Sequence, residues 1–204
     1  MKQVLLVGAF HEMIELCEES GFEIVGLIDN NIKVSDYYGY PVLGTDEDAK
    51  ALHEKYPLCS VVITPDAPAI RKHLSKRYAS LGFDFATVIH PSAMISKTAR
   101  IGQGTVIQRG VHVSSNSHIG RFCKLNVNAN VMHDNEVGDY ATVAPNAVLL
   151  GYVNLEEGVY IGANSTILPN VSIGNDSIVG AGAVVVKNVQ SDCTVVGVPA
   201  KSIK

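Results

Sequence analysis

No stretch of the 204-residue sequence is strongly basic, and its net charge is −4. A nucleic acid partner is therefore not expected, because phosphate backbones are held by clustered Lys and Arg. Small anionic ligands stay compatible, since backbone N–H groups bind them without bulk charge. The four cysteines, Cys17, Cys59, Cys123 and Cys193, stand far apart. Their spacing matches neither a metal site nor a disulfide framework, so reduced thiols in a cytoplasmic protein are the expectation. No apolar run approaches the ~20 residues of a membrane-spanning helix. Val4–Phe10 is apolar, but His11 and Glu12 follow at once and no small-residue cleavage site is evident. No signal peptide is expected. The full G-x-G-x-x-G of hydride-transferring dinucleotide enzymes is also missing.

What is present is a strict period of six. From Ile89 through Ile95, Ile101 and Ile107 to Val185, every sixth residue is aliphatic, seventeen times without a slip. Neither a helix nor an ordinary strand needs that period, whereas a parallel β-helix does, each short strand forming one side of a coil. At three hexads per coil the run makes nearly six coils, stacked ~4.8 Å apart. The fifth place of each hexad is mostly small or β-branched, as at Ala99, Thr105, Ser117, Cys123 and Ala129. No loop interrupts the run between Ile89 and Gln190.

Residues 1–88 follow another grammar. Strands are expected at Gln3–Val7, Glu23–Ile28, Pro41–Leu43, Ser60–Ile63 and Phe83–Val88, and helices at Glu12–Ser20, Asp46–Tyr56 and Ala67–Leu81. The alternation predicts an α/β, Rossmann-like half with a small parallel sheet. The division is 1–88, 89–190 for the β-helix, and a C-terminal cap over 191–204. Ligands of such sheets sit at the carboxyl ends of the strands. Those ends carry Gly8, Ala9, Phe10 and His11, then Asp29 and Asn30, then Thr64. Gly8 would let backbone approach a ligand and Asp29 would accept hydrogen bonds from a ribose or base. The plain alternative is that Gly8 only makes a turn and Asp29 only caps a loop.

The hexads also act as a ruler. Residues eighteen apart share an edge, so His133 stacks beside Gly151. An imidazole can take a proton from a nucleophile, and a bare N–H beside it can stabilise an oxyanion. Asp134 would raise the basicity of that imidazole. The alternative reading is a surface histidine on an edge. His112, His118 and His133 share neither column nor face, so a zinc site is not expected. Cys123 faces inward as packing.

On these residues the chain resembles the sugar O- and N-acyltransferases of the sialic acid acetyltransferase group. Within it the chain is most similar to bacterial N-acetyltransferases of nucleotide-linked 4-amino-4,6-dideoxy sugars. The segment Met132–Tyr140, the C-terminal Gly197-Val198-Pro199-Ala200-Lys201 and Pro41–Gly44 carry the likeness. The resemblance implies a left-handed coil, a homotrimer with active sites between subunits, and acetyl-CoA bound between adjacent β-helices, with no metal. It makes His133 the general base tuned by Asp134, and Gly151 the donor to the thioester. Thr142, Gly162, Ala163, Ala181 and Lys187 would contact the acyl donor. Gly8, Ala9, Phe10, His11, Asp29, Asn30 and Thr64 would bind a nucleotide-linked sugar such as a UDP-amino sugar, in surface polysaccharide or glycan biosynthesis. The family loop commonly reads G-A-S-G-H-G, whereas here it is Gly8-Ala9-Phe10-His11-Glu12. O-acetylation of a sugar hydroxyl, as on sialic acid, and a non-catalytic binding or assembly β-helix are the alternatives.

Overall fold

The computed structural model describes residues 2–203. Its N-terminal layer runs β1 (Lys2–Val7), α1 (His11–Glu19), β2 (Phe22–Ile28), the hairpin β3 (Asp36–Tyr37) and β4 (Tyr40–Gly44), α2 (Ala49–Lys55), β5 (Ser60–Ile63) and α3 (Pro68–Ser80). The sheet order is β3-β4-β2-β1-β5, parallel except for β3. Side chains alternate across a strand. Val4 and Leu6 of β1 therefore pack with Met13, Ile14 and Cys17 of α1. Leu5 and Val7 pack on the other side with Leu52 of α2 and Leu74 and Tyr78 of α3.

Two expectations change. The helix expected over Asp46–Tyr56 opens with a 3₁₀ turn at Asp46–Asp48 before α2 begins. The strand expected over Phe83–Val88 reduces to a single bridge between Val61 and Phe85. The reason lies at its two ends. Phe85 turns its ring onto Phe122, with centroids 4.8 Å apart, and Val88 pairs with Val106 of the next coil.

From Val88 onward seventeen two-residue strands follow, and the hexad aliphatic is the second residue of each. They stack into three parallel sheets, here called faces. Face one begins at Val88–Ile89, face two at Met94–Ile95 and face three at Arg100–Ile101. Partners are eighteen residues apart, as in Val113 beside Val131 and Val131 beside Leu149. The aliphatics meet inside, where Val131, Leu149 and Ile167 have no exposed surface. The fifth-place residues Ser117, Cys123, Ala129 and Ser165 are buried above them. Burial pushes the Cys123 thiol up to about 12, which suits packing rather than reactivity. Thr194–Val196 extends face one, and Lys201–Ser202 returns antiparallel to it. No helix among the described residues is long and apolar enough to cross a membrane.

From Gly104 to Gly182 each corner turns through a left-handed residue, and Asn, Asp or Gly occupies most of these positions, such as Asn116, Asn128 and Gly110. Phe122 and Tyr140 are exceptions with an evident cause. Their rings stack 5.5 Å apart under the N-terminal layer.

That layer docks on face one. Arg71 of α3 is the central contact, with 1% of its surface exposed. Its guanidinium donates to Phe122 O at 2.9 Å, Tyr140 O at 2.6 Å, Asp66 O at 2.6 Å and Thr142 Oγ1 at 2.8 Å. Burial lowers its pKa to about 10, so the charge survives at neutral pH. On the α1 side Arg109 grips Glu19 at 2.6 and 2.9 Å, and Gln108 donates to Glu12 at 2.6 Å. Lys72 pairs with Glu157. Replacing Arg71 by Ala strips several buried carbonyls of their donor, so a loss of about 3 kcal/mol or more is expected. Urea unfolding measures it, and a midpoint unchanged from the parent would contradict this account of the junction.

Candidate active site

The corner between faces two and three carries the His133–Asp134 pair. The turn sets Asp134 at φ 56°, which bends its carboxylate back toward the preceding side chain. His133 Nδ1 lies 2.8 Å from Asp134 Oδ2. The other carboxylate oxygen accepts from Asn116 Nδ2 at 3.2 Å, one coil earlier. The hydrogen bond from His133, and then that from Asn116, hold the Asp134 carboxyl below the usual carboxylate range. An ionised carboxylate only accepts, so Nδ1 carries the proton, and in the neutral imidazole Nε2 is then the ring's acceptor. The imidazole is half exposed, at 49%.

Gly151 sits where the ruler put it. A Cβ there would lie 2.6 Å from His133 Cε1 and 2.8 Å from Nε2. Only glycine lets the ring lie so close to the next coil. The Gly151 carbonyl accepts from Asn170, while its N–H donates to nothing among the described residues. A proton acceptor and a free N–H thus share one edge.

Of the other residues implied for the acyl donor, Lys187 lies on this same corner, exposed. Ala163 and Ala181 lie on the corner between faces one and two, with buried Gly162 just before it. The two groups border face two along its opposite edges. Thr142 is not with them. It is fully buried on face one, where it accepts from Arg71 and donates to Asp66 O at 2.9 Å. Its hydroxyl is taken up by the junction.

The strand ends of the N-terminal layer open into a cleft of about 650 Å³. Gly8, Phe10, Asp29 and Asn30 line it, as expected from their positions. Thr64 is buried behind it, donating to the carbonyls of Val7 and Gly8. Ala9 and His11 do not line it, and His11 stacks instead on Tyr38, 3.9 Å between centroids. The Gly8 N–H donates to Ile28 O and the Ala9 N–H to Asp29 Oδ2, both at 2.9 Å. Asp29 Oδ1 takes the N–H of Asn31 at 2.7 Å and of Ile32 at 3.1 Å. Asp29 therefore ties the two loops together, and the amides of Gly8 and Ala9 do not cradle a phosphate. The cleft wall has further members that sequence reasoning missed, among them Asp46, Glu47, Ile70, His73 and Arg77. Asp46 joins Asn30 and Tyr78 at 2.7 and 2.8 Å, and Arg77 donates to Glu47 at 2.9 Å.

Cleft and edge lie apart in one chain. The N-terminal layer covers face one, and the corner that bears His133 is the one opposite that face. Two more residues escaped the sequence reading at the covered face. Lys124 is buried between Thr64 O at 3.1 Å and Asp66 Oδ1 at 3.2 Å. Asn126 donates to Asp66 at 3.2 Å and leaves its Oδ1 buried without a partner. Their only sequence signal was a polar side chain on a face that turned out to be covered. Among the described residues no three His, Cys, Asp or Glu side chains converge on a metal position.

The model of the bacterial transferase hexapeptide (six repeats) matches residues 152–187. The UDP-N-acetylbacillosamine N-acetyltransferase of Bacillus subtilis (strain 168) is 33% identical over 112 residues, 52% of this chain and 51% of that protein. The match therefore spans about half the length of this curated relative. PerB from Caulobacter crescentus, solved in complex with CoA and GDP-perosamine, is 30% identical. It covers 100% of this chain and 98% of its own, with a TM-score of 0.93. The acetyltransferase domain of PglB from Neisseria gonorrhoeae FA1090, solved with acetyl coenzyme A, is 28% identical over 99% of both chains, TM-score 0.90. Stacked hexads with a His–Asp edge define the class, a hexapeptide-repeat transferase. Within that class the chain belongs to the sugar N-acetyltransferases.

Gly151→Ala places a methyl group inside the contact distance of the imidazole. A crystal structure of the variant is expected to show the His133 ring swung away and its bond to Asp134 lost. A ring left in place would contradict the role given to Gly151.

Proposed function

We propose that the chain transfers the acetyl group of acetyl-CoA to the amino group of a nucleotide-linked 4-amino-4,6-dideoxy sugar. The observation that carries this reading is the His133–Asp134 pair packed on Gly151, with a free N–H beside a basic Nε2. His133 takes the proton of the amine as nitrogen bonds to the thioester carbonyl carbon. The Gly151 N–H steadies the developing oxyanion. When the oxyanion collapses the C–S bond breaks, and the proton held by His133 can pass to the departing thiolate. In this reading Gly162, Ala163, Ala181 and Lys187 border the acyl donor along face two. The Rossmann-like layer holds the nucleotide in the cleft lined by Gly8, Phe10, Asp29 and Asn30.

The separation of cleft and edge within one chain supports a homotrimer of left-handed β-helices. There the nucleotide cleft of one copy meets the His133 edge of the next. The N-terminal layer (1–88), the β-helix (89–190) and the cap (191–204) then act as one unit only in the assembly. The relatives' sugars carry UDP or GDP, and a cytoplasmic role in glycan or surface polysaccharide synthesis fits both.

Mixed oligomers test the arrangement. His133→Ala, which removes the base, and Ala69→Trp, which fills the cleft, are each expected to lower kcat/KM at least a thousandfold. An equal mixture of the two chains is expected to regain about a quarter of parental turnover, because a head-to-tail contact unites the intact halves in one arrangement of four. No recovery from intact mixed oligomers would put both halves of the site in one chain. Near-parental activity in His133→Ala would remove the base. Turnover of sialic acid in place of amino sugars would favour O-acetylation, and failure to bind acetyl-CoA in a thermal-shift titration would favour a non-catalytic module.

A further inference from the structure

The column of left-handed corner residues that contains Asp134 reads Asn116, Asp134, Tyr152, Asn170. Three of these carry the short polar side chains that tolerate this backbone, and Tyr152 (φ 60°) does not. A bulky residue held there is disfavoured unless its surroundings require it. At the other corner Phe122 and Tyr140 have such a reason, since both rings pack under the N-terminal layer. Tyr152 has no such cover, with 57% of its surface exposed. Its ring instead meets the His133 imidazole edge to face, centroids 5.3 Å apart and planes at 87°. Its N–H donates to His133 O at 3.2 Å.

We propose that Tyr152 is a positioning residue for His133, holding the imidazole in the orientation in which Nδ1 faces Asp134 and Nε2 faces the reacting amine. Two contacts define that orientation from one side each. Gly151 leaves the imidazole room to lie flat on the coil, and the Tyr152 ring blocks the rotation that would carry it off the Asp134 carboxylate. Edge-to-face pairs of this kind contribute about 0.5–1.5 kcal/mol, enough to decide which of two ring orientations is populated. The inference rests on the acetyl-transfer reading for its consequence in rate, while the orientation itself does not depend on that reading.

Tyr152→Asn is the informative variant, because Asn is what the column carries one coil after and two coils before. It is expected to unfold at a Tm no lower than the parent, which separates positioning from folding. Its kcat for acetyl transfer to a UDP- or GDP-linked 4-amino sugar is expected to fall about tenfold, with KM for both substrates within about twofold. Tyr152→Phe, which keeps the ring, is expected to restore kcat to within about threefold. Nitrogen-15 NMR of His133 gives a readout free of activity. The parent is expected to show a protonated Nδ1 and an unprotonated Nε2, and Tyr152→Asn a mixture of tautomers. A single unchanged tautomer in Tyr152→Asn, or an unchanged kcat, would overturn the proposal. If no nucleotide amino sugar is acetylated by the parent, the functional reading fails, and the NMR comparison still decides whether Tyr152 orients the ring.

Discussion

The stacking of one eighteen-residue coil on the next is the constraint on which the rest depends. Because each strand pairs in register with residues eighteen away, a side chain's place on the prism follows from its number alone. The hexad aliphatics all turn inward, and small residues above them let the corners close. The prism is rigid because no coil can shift without breaking the ladders on all three faces at once. Rigidity is what an edge site needs. A His–Asp pair on a half-exposed corner has few neighbours to orient it, so the fixed distance to the coils on either side supplies Asn116, Gly151 and Tyr152 as its frame.

The second constraint is the buried guanidinium of Arg71. It draws carbonyls from the segment after β5 and from two coils onto one side chain, and so fixes the N-terminal layer to face one. α3 carries Arg71 on its inner side and Ile70, His73 and Arg77 along the cleft. The same helix therefore seats the layer and shapes the ligand wall. Docking on face one leaves the layer that carries the cleft on the side of the prism opposite the corner that bears His133. In the proposed homotrimer the β-helix would offer its His133 edge to one neighbour and the cleft would receive that of the other.

Much of this was legible in the sequence. The period of six places all seventeen strands, and counting by eighteen sets Gly151 against His133. Strand–helix alternation located β1, β2 and β5 and brought Gly8, Phe10, Asp29 and Asn30 to one cleft. The hexads could not say which face would be covered, because all three obey the same period. For that reason Thr142, on face one, was grouped with residues it does not meet, and Arg71, Lys124 and Asn126 passed unnoticed. The Gly8–Ala9 loop reads like a phosphate turn, but its amides are taken by Ile28 and Asp29, partners about twenty residues away in sequence. Tyr152 alone left a local trace that could have been read, an aromatic in a column of Asn and Asp.

The central claim is that chemistry occurs where the His133 edge of one copy meets the nucleotide cleft of another. A crystal structure of the assembled protein with CoA and a nucleotide-linked 4-amino sugar tests it most directly. The account predicts the base and ribose in the cleft lined by Gly8, Phe10, Asp29 and Asn30. It predicts the sugar nitrogen within hydrogen-bond reach of His133 Nε2 from a second copy, about 3 Å away. A sugar nitrogen beside His133 of the same chain, or one beyond the reach of any His133, would contradict it.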